Sequence, residues 1–258
     1  MSESLHLDRQ GQVLVITLDR PKANAIDAKT SRAMAAAFDE FQADPDLRVA
    51  ILTGAGERIF SAGWDLGTAE DPDQDYGPGG FGGLMSRFDL EKPVIAAING
   101  ACVAGGFEIA LAADFMIAAD NATFFLSEAT LGLTVASASV SRLCQRIPHA
   151  LAVDMLYTGR RIDAAEALHC GLVSDVVAQG DLMPTAHALA ERIIASAPLS
   201  VAAMKQMVTK AGALTPQAAF ELSEAGGLPA KARADGSEDA KEGPRAFTEK
   251  RPPVWQGR

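Results

Sequence analysis

Two carboxylates and a pair of glycines are the residues of this sequence best suited to chemistry. Gly105-Gly106 opens the run GGFEIALAAD, with Glu108 in what reads as the first turn of a helix. A first turn leaves backbone N–H groups unpaired and carries the positive end of the helix dipole. Glycines there let another molecule's carbonyl oxygen come close. The stretch can therefore hold a developing oxyanion with a carboxylate one turn away, and it equally suits a plain tight turn. Glu128 is the second carboxylate. Like Glu108, it follows a short strand-like run and lies near a turn. Either one alone reads as a solvated or capping group. Sharing a pocket, they would differ in pKa through burial and mutual repulsion, and one would serve as base and the other as acid. Whether they meet depends on the fold.

Other patterns are excluded. GAGERI at 54–59 begins like a dinucleotide fingerprint, but Ile59 stands where its third glycine belongs and no helix follows directly. GPGGFGG at 77–83 reads as a flexible lid. The nucleophile elbow G-x-S-x-G, HExxH and the phosphate-loop motif are absent, and Ser61 has no evident histidine partner. Cys102, Cys144 and Cys170 are odd in number and lack metal or redox spacing, which suits reduced thiols in the cytoplasm. His6, His149, His169 and His187 form no close pair, so no metal site is expected. A net charge of −10 without a basic stripe argues against nucleic acid. The polar start MSESLHLDRQ is no signal peptide. The most apolar stretch, 92–118, is interrupted by Asn99, Glu108 and Asp114, so no membrane span is expected.

The elements that would position these residues alternate strand and helix. At 258 residues and 48% hydrophobic, the chain can bury one large core. Gln12–Leu18, Arg48–Thr53, Val94–Ile98, Phe115–Ala118, Thr123–Leu126 and Leu172–Val177 read as strands. Asp27 can cap a helix whose Met34, Ala37, Phe38 and Phe41 share one face. The acidic, glycine-rich run 68–83 reads as a mobile surface loop, with a helix after it before Lys92. Asp163 and Glu166 form a capping box. From Asp181 the pattern is almost entirely helical, over 181–196, 198–212, 216–231 and 237–250, the last broken at Gly243-Pro244. The expectation is an α/β core, residues 1–195, and an α-helical C-terminal region, 196–258, that packs on another subunit.

Several separated motifs, in order, carry a resemblance. FSAGWDL at 60–66, KPVIAAINGACVAGGFEIALAADFMIA at 92–118 and FTEKR at 247–251 resemble the crotonase (enoyl-CoA hydratase/isomerase) superfamily over nearly the whole chain. Within it, DRPKANAIDAKTS, FSAGWDL, YGPGGFGGL, SEDAKEGPRAFTEKR and PVWQGR are most similar to the carnitinyl-CoA dehydratase branch. The resemblance implies a spiral of ββα units with a helical C-terminal trimerisation region, forming a trimer or a dimer of trimers. It implies an acyl-CoA substrate and no separate cofactor. The backbone N–H groups of Ala62 and Gly105 would form the oxyanion hole. Lys22, Ala23, Gly63, Trp64, Asp65, Leu66 and Lys250 would line CoA and substrate. Glu108 and Glu128 match the two glutamates of the hydratases: Glu108 would polarise water toward the β carbon, and Glu128 would hold the proton for the α carbon. Isomerases of the superfamily generally keep only one, so a hydro-lyase is implied. A general short-chain enoyl-CoA hydratase and a non-catalytic acyl-CoA binder are the alternatives. The chain departs from the family after Glu128. Val135 replaces a proline, Ala138-Ser139 replace a glycine pair, and Ser127 replaces a proline, adding bulk and a hydroxyl beside the acyl pocket. Trp64, Tyr76 and Phe81 are candidate aromatic faces for a trimethylammonium group.

Overall fold

The computed structural model describes residues 4–67 and 75–258. The elements in chain order are β1 (Leu5–Gln10), β2 (Val13–Leu18), α1 (Ala28–Ala43), β3 (Val49–Gly54), β4 (Ile59–Ser61), β5 (Val94–Ile98), β6 (Ala101–Val103), α2 (Gly105–Ala112), β7 (Phe115–Ala119), β8 (Thr123–Phe125), α3 (Ser137–Arg146), α4 (His149–Thr158), β9 (Ile162–Asp163), α5 (Ala164–His169), β10 (Asp175–Val177), α6 (Leu182–Ile194), α7 (Pro198–Ala211), α8 (Pro216–Glu224), α9 (Pro229–Asp235) and α10 (Glu238–Glu249).

Two sheets organise the first compact unit, Met1–Arg87 with Val94–Leu189. The larger has strand order β1-β2-β3-β5-β7-β10, parallel except for the β1–β2 hairpin. Its central strands β3 and β5 are buried at every position, as apolar runs covered on both faces must be. The smaller sheet has order β4-β6-β8-β9, with the first three strands parallel. The α1 helix starts as its sequence dictates: the Asp27 side chain accepts the Thr30 N–H at 2.7 Å, and Met34, Ala37, Phe38 and Phe41 are buried.

Several expectations are corrected. β1 and β6 are strands with no counterpart among the expected elements. The mobile loop expected over 68–83 falls partly on 68–74, outside the described residues. Its remainder is not a flexible lid, because Phe81, Gly82 and Gly83 form a buried 3₁₀ turn against α1. Gly82 N–H donates to Ser31 Oγ, and Ser31 Oγ to the Tyr76 carbonyl. A Cβ on Gly83 would lie 2.5 Å from the Ala35 nitrogen, so only glycine lets the two backbones touch. No helix follows it before Lys92 among the described residues.

The second unit, Phe88–Pro93 with Ala190–Arg258, is built from short helices. The single helix expected over 216–231 is two, α8 and α9. Gly226 turns at φ +74°, and Pro229, which lacks an N–H, can only begin a new helix. Conversely, α10 runs through Gly243-Pro244 without a break. The carboxylates of α10 fold the terminal residues back. Asp239 accepts the N–H groups of Gln256 and Gly257, and Glu242 accepts Arg245, Arg251 and the Val254 N–H. These bonds hold the Glu242 carboxyl well below the usual carboxylate range. No helix of the described residues is long and apolar enough to cross a membrane.

Candidate active site

The small sheet brings the chemistry together. Its parallel strands β4, β6 and β8 lie side by side, so their C-terminal ends open on one edge. After β4 comes Ala62-Gly63-Trp64, after β6 comes Ala104 and α2 with Glu108, and after β8 comes Glu128. Ligands of open parallel sheets bind outside these strand ends.

The segment after β4 is fixed by polar bonds that the sequence does not advertise. Ser61 is buried; its hydroxyl donates to the Asn24 carbonyl at 2.7 Å and accepts the Gly63 N–H at 3.0 Å. The Asn24 and Asn99 side-chain amides both donate to the Ile59 carbonyl, tying down the 54–59 loop. Arg20 binds Asp65 at 2.5 Å and Asp27 at 3.1 Å. Asp65, expected in the substrate site, is thus engaged by Arg20, which holds its carboxyl below the usual range. Leu66 is exposed.

The expected oxyanion donor at 62 is corrected by this geometry. Ala62 gives its N–H to the Ala23 carbonyl at 3.0 Å. Two residues on, Trp64 forms a parallel bridge with Ile26, made by Ile26 N–H to Gly63 O and Asp65 N–H to Ile26 O. Alternate N–H groups of an extended segment point to opposite sides, so the Trp64 N–H faces away from that bridge and meets no acceptor among the described residues.

Gly105, the other expected donor, begins α2, and its N–H likewise has no acceptor among the described residues. Ala104 before it sits at φ 50°, ψ −128°, a conformation costing an L-residue on the order of 1–3 kcal/mol. That strain turns the chain so sharply that β6 feeds α2 with no intervening loop. Gly63 packs on this turn: a Cβ there would lie 2.5 Å from the Gly105 nitrogen and 2.9 Å from its Cα. The two free N–H groups thus belong to segments in backbone contact.

The two carboxylates do meet. Glu108 and Glu128 are each 7% exposed, and the charge of Glu108 helps raise the pKa of Glu128. Burial is the larger cause and brings Glu128 to about 6, against the pull of its own backbone N–H. Its Oε2 is buried without a hydrogen-bond partner among the described residues. Burial also raises Glu108. The Ser139 hydroxyl, the Ala136 N–H and the Arg142 guanidinium pull it down, the Ala136 N–H donating to Glu108 Oε2 at 2.9 Å. The Phe107 and Phe124 rings, 5.5 Å apart, seat α2 on β8. Titrating the carboxyl carbons by NMR should give Glu128 a midpoint at about 6. In Glu108→Gln that midpoint should fall, because the neighbouring charge is gone; an unmoved midpoint would mean the pair does not interact.

Trp64, Tyr76 and Phe81 form an aromatic cluster beside this edge, with ring centroids 5.3–6.1 Å apart. A Cβ on Gly105 would lie 2.7 Å from the Phe81 ring. Lys22, at φ 78°, lines a surface cavity of about 310 Å³ with Arg20, Arg58 and Glu57. Lys250 is the left-handed C-cap of α10, in the second unit. No cluster of metal-ligating side chains occurs among the described residues.

A buried pair of carboxylates beside two backbone N–H groups that meet no acceptor among the described residues suits addition or elimination next to a carbonyl. The enoyl-CoA hydratase/isomerase family pattern matches residues 8–258, and the chain belongs to that family. Over its full length it is 54% identical to the carnitinyl-CoA dehydratases of Salmonella agona (strain SL483) and Salmonella typhi, and covers all of each. The enoyl-CoA hydratase of Mycobacterium tuberculosis H37Rv superposes on it with a TM-score of 0.90, at 38% identity and full coverage of both chains. The enoyl-CoA hydratase of Bacillus anthracis gives 0.89, at 31% identity over 99% of this chain and all of that one.

Proposed function

We propose that the protein is a hydro-lyase that reversibly adds water to, and removes it from, a short acyl-CoA thioester, with carnitinyl-CoA and crotonobetainyl-CoA as the substrate pair. The observation that carries this reading is the pairing of two buried carboxylates of unequal pKa at the edge that also bears two unpaired backbone N–H groups. The 54% identity to carnitinyl-CoA dehydratases supports the acyl group.

In hydration, Glu108 takes a proton from water as the water oxygen bonds to the β carbon. The π electrons move toward the thioester carbonyl, whose oxygen gains charge and is held by the N–H groups of Trp64 and Gly105. Glu128 then gives its proton to the α carbon. Dehydration reverses each step, so one proton shared by the pair serves both directions. The raised pKa of Glu128 supports its holding that proton. Lys22 and Arg58 at the surface cavity are the cations we assign to the CoA phosphates, with Ala23, Gly63, Trp64 and Leu66 along the thioester. Asp65, bound to Arg20, shapes this segment rather than touching substrate. No separate cofactor enters this scheme.

A trimethylammonium group is attracted to aromatic faces at about 0.5–2 kcal/mol each, and the Trp64–Tyr76–Phe81 cluster offers three. Trp64→Ala should therefore lower kcat/KM for crotonobetainyl-CoA about three- to thirtyfold more than for crotonyl-CoA. An unaltered preference in a side-by-side assay removes Trp64 from substrate selection. Wild-type turnover of crotonyl-CoA far exceeding that of crotonobetainyl-CoA would replace the substrate assignment with a general short-chain hydratase. The exposed Met204, Val208, Phe220 and Phe247 of the second unit support its self-association as a trimer or a dimer of trimers.

A further inference from the structure

Ser139 is completely buried. It lies in the first turn of α3, whose entry residue Ala136 donates its N–H to Glu108 Oε2 at 2.9 Å. The Ser139 hydroxyl is on the same side, close enough to Glu108 to favour its ionised form. Its Oγ nevertheless meets no partner within ordinary hydrogen-bond geometry among the described residues. A buried hydroxyl without a partner costs free energy comparable to a lost hydrogen bond, and an alanine would avoid that cost. In the same pocket Glu128 Oε2 is also unpartnered. Two buried oxygens, Ser139 Oγ and Glu128 Oε2, therefore lack partners among the described residues in the neighbourhood of Glu108.

We infer that Ser139 is a positioning residue of the reaction: its hydroxyl donates to Glu108 and holds that carboxylate, ionised and aimed, against the reacting water. The inference rests on the two-carboxylate reading above. Ala136 fixes Glu108 Oε2, and the Ser139 hydroxyl is the donor we assign to the other carboxylate oxygen. One oxygen is then held by backbone and the other by a side chain, which sets the plane of the carboxylate. The charged groups facing Glu108 are Arg142 of α3 and Glu128. Arg142 is itself tied to the Met85 carbonyl at 2.7 Å, so Ser139 is the neutral donor free to follow the state of Glu108.

The test compares Ser139→Ala and Ser139→Gly with the wild type. Both remove the hydroxyl and differ in volume. In each, the NMR midpoint of Glu108 should move up, and the acid limb of kcat/KM against pH should move up with it, because a donor that favours the ionised carboxylate is gone. At the optimum, kcat should fall about tenfold, as expected for a lost hydrogen bond to a charged group, with KM little changed. A Glu108 midpoint that stays in place in both variants overturns the inference whether or not the chain turns over any thioester. A shift in alanine but not in glycine also overturns it, since packing rather than the hydroxyl would then be responsible. Absence of hydro-lyase activity in the wild type would instead remove the proposed function and leave the midpoint comparison standing.

Discussion

Glu128→Gln is expected to lower hydration and dehydration by roughly 10²- to 10⁴-fold, the range that a positioned acid or base supplies. Glutamine keeps the shape of the side chain but cannot carry the proton between solvent and the α carbon. The stability of the variant should move the opposite way. Folding raises the Glu128 pKa to about 6, so its protonated form favours the folded state. That contribution is fully present below the ordinary carboxylate value and is lost as pH rises through about 6. The wild type therefore carries a buried, poorly solvated charge at neutral pH that the glutamine variant lacks. Glu128→Gln should melt higher than the wild type at pH 7.5, with the difference closing below pH 5. An inactive variant that melts lower at pH 7.5 would point to damaged packing and remove the argument for a catalytic role. An active one would remove Glu128 from the reaction.

Gly63→Ala is the second large effect. At φ +80° a side chain is strained wherever it points. Here the new methyl would also lie 2.5 Å from the Gly105 nitrogen. Backbone surrounds that point, so the donor itself must shift. Losing one oxyanion donor typically lowers kcat by roughly 10²- to 10³-fold, and Gly63→Ala should fall in that range for every thioester tested, whatever the acyl group. That insensitivity distinguishes it from Trp64→Ala, whose effect should follow the charge of the acyl tail. A Gly63→Ala enzyme with wild-type kcat would mean that the Gly105 N–H does not face the reacting carbonyl.

The parts of the fold that sequence reveals are those that local chemistry dictates. The buried runs of β2, β3 and β5, the Asp27 cap and the apolar face of α1 follow from periodicity and side-chain hydrogen bonding. β1 is less legible because LHLDRQ is an edge strand with a mostly polar face, and β6 because three residues beside Asn99-Gly100 read as the end of a turn. The break before Pro229 was written in Gly226-Gly227-Leu228-Pro229, a stronger stop than helix composition can override. The continuity of α10 at Pro244 was not written locally, because it depends on Asp239 and Glu242 gathering the terminal residues, tens of ångströms of chain that only the fold brings back.

The site divides along the same line. Glu108 and Glu128 were legible as residues, but their meeting depends on β6 and β8 being parallel neighbours in the small sheet. That the Ala62 N–H is engaged while the Trp64 N–H, two residues on, meets no acceptor among the described residues is a matter of register. The bridge between Ile26 and Trp64 decides which N–H groups turn inward, and no residue type records that choice. Ser61, Asn24, Asn99 and Arg20 went unassigned because their partners are mostly backbone carbonyls and carboxylates far away in sequence. The Asn-Gly pair at 99–100 was read as a turn, and the amide of Asn99 proves to hold a second loop as well.

The decisive measurement of hydro-lyase chemistry follows oxygen. Purified protein is incubated with crotonobetainyl-CoA in ¹⁸O-labelled water, and the thioesters are analysed by mass spectrometry. A hydro-lyase yields carnitinyl-CoA labelled at the β carbon, approached from either side of the equilibrium, with the exchange abolished in Glu128→Gln. Migration of the double bond without uptake of label, or an unchanged thioester bound but never hydrated, would contradict it.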